Sequence, residues 1–289
     1  MPDILVIMGP TASGKSALAL EFAEKFNGEI ISADSMQLYK ILPIGTAQPT
    51  PEERKRIPHH LVGIYDLSCR AEVYRFCELA DLAVQEIRSR GKMPIVCGGT
   101  GMYLKAFLYG LDDLPGDRNL REQLDLQYDN DAGEIQLHEK MSELDPAGLE
   151  KWKNCRRRLI RALEVRLLTG KSILSLQNVK EKKLRYNVRA FRLDPDSSLL
   201  KEKIFQRAEK MLDSGWIEEA DFAIKSGLFE SPTAHQAIGY RQIAEYLNGK
   251  IDRQQLLEQI CTSTWQYARR QRTWFRHQHP EAEIFTGKY

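Results

Sequence analysis

The chain has 289 residues, 42% apolar and 28% charged, and its 42 Lys and Arg against 40 Asp and Glu leave a net of +2. That is enough apolar material for a sizeable core and argues against intrinsic disorder. No apolar run reaches the roughly 18 residues of a membrane-spanning helix, so no membrane role is expected. The short, acidic opening (Met1 to Pro10) does not resemble a signal peptide, and Cys69, Cys77, Cys97, Cys155 and Cys261 are scattered without a CxxC pair. Both features fit reduced cysteines in a cytoplasmic protein. The near-zero charge argues against a nucleic-acid partner only if the charge is evenly spread.

In chain order, the apolar run Ile4 to Met8 predicts a buried parallel strand, closed by Gly9 and Pro10. A helix is expected from about Ser16, with Leu18, Ala19, Phe22 and Ala23 on one face. Strands are expected at 29–34, 60–64 and 94–97, and a helix at 72–90 with Leu79, Leu82, Ala83 and Ile87 inward. Alternation of strands and helices predicts an α/β fold with a mostly parallel sheet flanked by helices. The pattern then changes. Residues 111–150 carry 12 acidic residues against three basic ones, a net of −9, with no strand signal. This stretch reads as a small helical insertion domain at 112–152, dividing the core into 1–111 and 153–289. Residues 151–172 carry eight basic residues and one acidic, a net of +7, and hold a helix with Leu159, Ile160, Leu163 and Leu167 on one side. A last strand is expected at 188–193, followed only by helices at 197–213, 216–226, 239–247 and 253–276.

Gly9-Pro10-Thr11-Ala12-Ser13-Gly14-Lys15-Ser16 matches the phosphate-loop pattern GxxxxGK[ST] between a strand and a helix. The glycines let successive N–H groups curl round a phosphate, and the helix N-terminus adds its positive dipole end. Lys15 supplies a point charge and Ser16 a ligand for Mg²⁺. The motif does not say which phosphate compound binds.

Further blocks narrow the choice. Asp34-Ser35-Met36-Gln37-Leu38-Tyr39, Gly45-Thr46-Ala47, Pro58-His59-His60-Leu61 and Gly98-Gly99-Thr100-Gly101-Met102-Tyr103 follow in order. So do Arg158 to Val165, Gln236-Ala237-Ile238-Gly239-Tyr240 and Tyr267 to Arg276. Together, over residues 5 to about 276, they resemble the tRNA dimethylallyltransferases, bacterial type. The resemblance implies a P-loop NTPase-like fold and transfer of a dimethylallyl group to N6 of adenine 37 in the tRNA anticodon stem-loop. The loop at 9–16 would then hold the diphosphate of dimethylallyl diphosphate rather than ATP. Thr11 and Arg207 match family residues that contact the diphosphate. Asp34 matches the family's general base, Ser35, Met36 and Gln37 its substrate-contacting stretch, and Thr100 a residue near the tRNA. Arg157, Arg158, Leu159, Ile160 and Arg161, and Gln236 to Tyr240 with Arg241, match its tRNA-contacting stretches.

The chemistry agrees with this assignment. An allylic carbon leaving diphosphate drives negative charge onto the leaving group, so cations and N–H donors must face it. The exocyclic amine must lose a proton, and a carboxylate at a strand end is a suitable acceptor. For Asp34 the base reading is favoured over the alternatives of a metal ligand or helix cap. RNA is read in loops by cations and stacking side chains. Besides 151–172, basic residues gather at Lys180, Lys182, Lys183, Arg185, Arg189 and Arg192, and at Arg269, Arg270, Arg272 and Arg276 among Trp265, Tyr267, Trp274 and Phe275. Any one such run reads as well as a solvated helix face; three in one P-loop chain favour RNA. His59 and His60 read as structural. Gln48 stands where the family commonly has lysine, Ile41 where glycine is common, and Trp265 where arginine is frequent. An isopentenyltransferase acting on free adenine nucleotides, a P-loop nucleotide kinase and a nucleotide-gated RNA binder are the alternatives. A monomer is expected.

Overall fold

A computed structural model describes residues 2–112, 114–177, 183–279 and 281–287. The basic positions Lys180 and Lys182 lie outside the described residues. The chain forms two compact units, Met1–Gly110 with Lys183–Tyr289, and Leu111–Lys182.

The first unit opens with β1 (Ile4–Met8), α1 (Lys15–Lys25), β2 (Gly28–Ser32), α2 (Pro51–Arg56), β3 (His59–His60), α3 (Val73–Ser89), β4 (Met93–Gly98) and α4 (Gly101–Tyr109). After the second unit come β5 (Val188–Arg192), helices Ser197–Asp213, Trp216–Lys225, Tyr240–Leu247 and Arg253–Gln278, and β6 (Glu283–Ile284). The six strands form one parallel sheet in the order β3-β2-β4-β1-β5-β6. β1 sits inside the sheet, with Leu5 opposite Ile95 on one side and Arg189 on the other.

Strand alternation divides the core. Ile4, Val6 and Met8 pack with Phe76, Ala80, Ala83, Val84 and Ile87 of α3 and with Leu104 and Phe107 of α4. Leu5 and Ile7 face Leu18, Ala19, Phe22 and Ala23 of α1. The inward face of α3 thus differs from the expected one: Leu82 is exposed and Leu79 only partly buried, because the stripe runs through Phe76, Cys77 and Ala80. The expected strand at 60–64 shrinks to two residues. Leu61 (φ 60°) and Gly63 (φ 63°) turn the chain out of the extended region. Helix α2 was not expected, although its capping box, Thr50 with Glu53 around Pro51, is legible.

The second unit contains α5 (Arg118–Gln127), α6 (Asp131–Leu144), α7 (Pro146–Trp152), α8 (Arg156–Thr169) and α9 (Ile173–Leu176). Among its described residues the elements are all helices, and the unit extends to 182, beyond the expected end at 152. The helix expected within 151–172 belongs to it, because Leu159, Ile160, Ala162, Leu163 and Val165 are packed with Leu124, Leu137, Met141 and Trp152. Leu167, expected on that face, is exposed. Glu164 is buried there and satisfied by Arg121, by Arg161 at 2.6 Å and by the Asp117 N–H at 3.0 Å. Completing the numbering, Ser197–Asp213 is α10, Trp216–Lys225 α11, Tyr240–Leu247 α12 and Arg253–Gln278 α13. These four pack around Tyr39, Leu42, Trp216 and Tyr240 in a second core that walls the site.

Candidate functional site

The phosphate loop joins β1 to α1 as expected. Gly14, at the helix N-cap, has φ 94°, and Ala12 also adopts a left-handed conformation at φ 59°. The turn is closed by the Ser13 N–H donating to the Pro10 carbonyl at 3.3 Å. Gly9 is required by space, since a Cβ would lie 2.9 Å from the Leu193 carbonyl oxygen. Lys15 curls back, its Nζ donating to the Pro10 carbonyl at 3.3 Å. Burial lowers its pKa, opposed by Cys97 and Asp34. Arg207 on α10 is likewise lowered by burial and opposed by Asp34. Two cations drawn from water thus share one carboxylate, an arrangement that invites an anion. Ser16 is exposed on the first turn of α1.

Asp34 follows β2 at the carboxyl end of the sheet. Its Oδ1 accepts the Met36 N–H at 3.0 Å. Thr100, opening α4, accepts the Ser35 N–H on Oγ1 at 3.0 Å. Thr11, Ala12, Asp34, Ser35, Met36 and Arg207 line one cavity of about 300 Å³ together with Gly45, Thr46, Gln236, Ala237 and Ile238. Ile204, Ala208, Met211, Trp216 and Ile260 supply an apolar wall, and Thr264, Tyr267 and Arg270 complete it. Burial raises the Tyr267 hydroxyl pKa, and Asp34 raises it further, so the phenol stays neutral. Cys97 is pushed up to about 11 by burial and acts as a small buried apolar group.

The remaining candidates divide. Gln37 is occupied internally: it accepts the Ser32 hydroxyl at 2.7 Å and donates to the Thr46 and Ala47 carbonyls at 3.2 and 2.8 Å. Gln48 donates to the Gln37 and Tyr39 carbonyls at 3.1 and 2.7 Å, so the residue in the family's lysine position serves as a brace. Tyr240 is fully buried, with its hydroxyl on Glu219 at 2.6 Å. Gly239 (φ 98°) and Gly45 are pressed against Trp216, where a Cβ at either would overlap the indole. Leu159 and Ile160 are in the second unit's core. Arg161 is held by Glu164 and the Leu114 and Pro115 carbonyls. Arg272 bonds Asp194 at 2.9 Å and Ser197 at 2.7 Å. Arg157, Arg158, Arg241 and Arg269 are exposed. Trp265 packs against the cluster of Leu200, Ile204 and Ala268, under Lys201 at 5.0 Å. His59 and His60 are structural, bonded to the Ile57 carbonyl and to Glu29, each at 2.8 Å. Sequence reasoning missed Glu219, whose carboxylate accepts the Ile44 and Gly45 N–H groups at 2.6 and 2.8 Å and so holds one cavity wall. It also missed Gln271, whose amide bonds the Thr11 N–H and the Gly99 carbonyl. Glu219 lies outside every motif block, and Gln271 lies within the block Tyr267 to Arg276 but was given no role there.

Among the described residues no cluster of His, Cys, Asp or Glu could hold a metal. Mg²⁺ commonly takes only one or two protein oxygens and completes its shell with phosphate oxygens and water. The exposed Ser16 hydroxyl beside Lys15 fits that limited role. No helix among the described residues is long and apolar enough to cross a membrane.

The fold and cavity define a P-loop α/β protein in which an anion cradle opens onto a carboxylate. An IPP transferase profile matches residues 37–278 and an isopentenyl transferase profile residues 2–60. A tRNA dimethylallyltransferase of Carboxydothermus hydrogenoformans is 42% identical over 277 residues, covering 94% of this chain and 88% of that one. One from Corynebacterium jeikeium is 40% identical, with the same coverages. The crystal structure of a tRNA isopentenylpyrophosphate transferase from Bacillus halodurans matches with a TM-score of 0.71 and 34% identity, covering 99% of this chain and 90% of that one. A eukaryotic dimethylallyltransferase captured acting on tRNA matches with a TM-score of 0.82 and 30% identity, covering 98% and 72%. The chain belongs to the IPP transferase family.

Proposed function

We propose that the chain transfers a dimethylallyl group from dimethylallyl diphosphate to N6 of adenine 37 in the anticodon loop of tRNA. The observation that carries this reading is one cavity lined by Asp34, by Thr11 and Ala12 of the phosphate loop, by Arg207 and by an apolar wall. An anion, a short hydrocarbon and a base with a transferable proton each find a matching surface there.

In the proposed step the bond between the allylic carbon and the diphosphate oxygen breaks as the bond from N6 to that carbon forms. The N6 proton passes to Asp34, and diphosphate leaves with the electron pair. Lys15, Arg207, the Thr11 hydroxyl and the loop amides stabilise the leaving charge. Mg²⁺, held by Ser16 and the diphosphate, would supply further positive charge there. Ser35, Met36 and the 236–238 stretch form the acceptor side, with Thr100 bracing Ser35 from behind. The exposed Arg157, Arg158, Arg241 and Arg269 are the candidates for RNA phosphates. Leu159, Ile160 and Arg161 support the second unit from within, and Gln37, Gly239, Tyr240 and Arg272 the first. The reading carries with it a cytoplasmic, monomeric enzyme.

Incubation with labelled dimethylallyl diphosphate, Mg²⁺ and unmodified tRNA tests the proposal. Label is expected on tRNA. Label on AMP and none on tRNA would favour the adenine-nucleotide enzyme instead.

A further inference from the structure

Gln271 lies on α13 and is 5% exposed. Both ends of its amide are engaged across the fold. Its Oε1 accepts the Thr11 N–H at 2.8 Å, and its Nε2 donates to the Gly99 carbonyl at 2.8 Å. Those partners belong to the loops that leave two neighbouring strands, β1 and β4. Beyond Gly99 the connection continues without a gap. The Thr100 N–H donates to the Ala33 carbonyl at 3.1 Å, and Thr100 Oγ1 accepts the Ser35 N–H. Asp34 lies between Ala33 and Ser35. One side chain therefore ties the loop that cradles the leaving group to the turn that carries the base.

The surroundings are shaped to this bridge. A Cβ at Gly99 would overlap Gln271 Nε2. The Thr11 amide is directed at Gln271 while Thr11 itself lines the cavity, so that N–H is not spent on the anion. Parallel strands β1 and β4 space their end loops by the sheet, but nothing in the strand ladder sets the loops' orientation. A planar amide, with its acceptor on one loop and a donor on the other, does so.

We propose that Gln271 is a positioning residue for the transfer. It locks the phosphate loop to the acceptor turn, so that the allylic carbon and the adenine amine meet in register. The inference rests on the dimethylallyl-transfer reading. A displacement of roughly 1 Å between reacting groups is enough to cost about 100-fold in rate.

The test uses the full chain with Gln271→Met, which keeps length and volume but removes both hydrogen bonds, and Gln271→Glu, which keeps the acceptor for Thr11 and loses the donor to Gly99. Three quantities are measured. They are the saturated single-turnover rate of dimethylallyl transfer to unmodified tRNA, the dissociation constant of inorganic diphosphate with Mg²⁺, and that of tRNA. For Gln271→Met the saturated rate falls about 100-fold, while both dissociation constants stay within about threefold of wild type. A lower melting temperature with a saturated rate per folded molecule within about twofold of wild type overturns the proposal. Should Gln271→Met not fold, Gln271→Glu decides: a rate about tenfold lower or worse upholds the proposal, and a rate closer to wild type overturns it. The functional reading is tested on the wild-type chain alone and the inference on the ratio of variant to wild type, so the two failures are told apart.

Discussion

Asp34→Asn removes one charge and little else. Asp34 Oδ1 accepts the Met36 N–H at 3.0 Å, and an asparagine keeps that acceptor, so the turn survives. What disappears is the proposed proton acceptor for N6. A positioned base contributes about 10²–10⁴-fold, which at 1.36 kcal/mol per decade is about 3–5 kcal/mol of barrier. The donor side responds in the opposite direction. Asp34 is the anionic neighbour of both Lys15 and Arg207, so without it the two cations face the diphosphate unopposed. Diphosphate affinity is therefore kept or tightened while transfer fails. The pH dependence carries a sign as well. Burial already holds Lys15 below its ordinary value, and Asp34 works against that lowering. Lys15 is charged below its folded-state pKa and neutral above it. Diphosphate affinity should therefore weaken as pH rises through that lowered pKa, and at a lower pH in the variant than in wild type. Single-turnover transfer and calorimetric titration of diphosphate across alkaline pH measure both effects. A variant that transfers within tenfold of wild type would refute the assignment of Asp34 as base.

Gly239→Ala places a Cβ against the Trp216 ring at φ 98°. Left-handed strain of about 1–2 kcal/mol and overpacking of about 1–3 kcal/mol predict a loss of about 2–5 kcal/mol in urea unfolding, and a loss under about 0.5 kcal/mol contradicts that packing. Burial alone would raise Glu29, but hydrogen bonds from Arg90, His60 and Lys92 hold it at about 2 against an ordinary 4.5. A depressed carboxylate stabilises above its unfolded pKa, so this contribution should be intact above about pH 4.5 and drain away towards pH 2. Urea titrations across acid pH should show that slope, and Glu29→Gln should flatten it. Arg157, Arg158, Arg241, Arg269 and Arg270 are exposed and have no carboxylate partner among the described residues. At about 0.7 per phosphate, five such contacts would give log affinity for tRNA against log salt a slope of about −3.5. Arg269→Ala should reduce it by about 0.7, and a salt-independent affinity would contradict an RNA role for these arginines.

The phosphate loop was legible because it is local: eight consecutive residues between a β-strand and a helix carry the whole geometry. The parallel sheet was legible for the same reason, through Ile4 to Met8 and its counterparts. The basic runs were less informative than they looked. Counting charges cannot tell Arg269, which is exposed, from Arg272, which is tied to Asp194 at 2.9 Å. Tyr240 and Gln37 belong to motif blocks, yet both side chains are used internally, so a block can mark a supporting wall as well as a contact.

By itself, then, the sequence determined the parallel α/β core, the helices of the insertion and the glycine-rich loop between β1 and α1, because strand alternation, helical periodicity and the loop act over a few neighbouring residues. Only the tertiary structure decided that α8 belongs with the insertion, that Glu219 holds one cavity wall and that Gln271 joins two loops. Those pairings span 35 residues or more: Leu124 with Leu159, Gly45 with Glu219, Thr11 with Gln271. They depend on which partner the folded sheet and helices bring within hydrogen-bond or packing distance, and no local pattern encodes that choice.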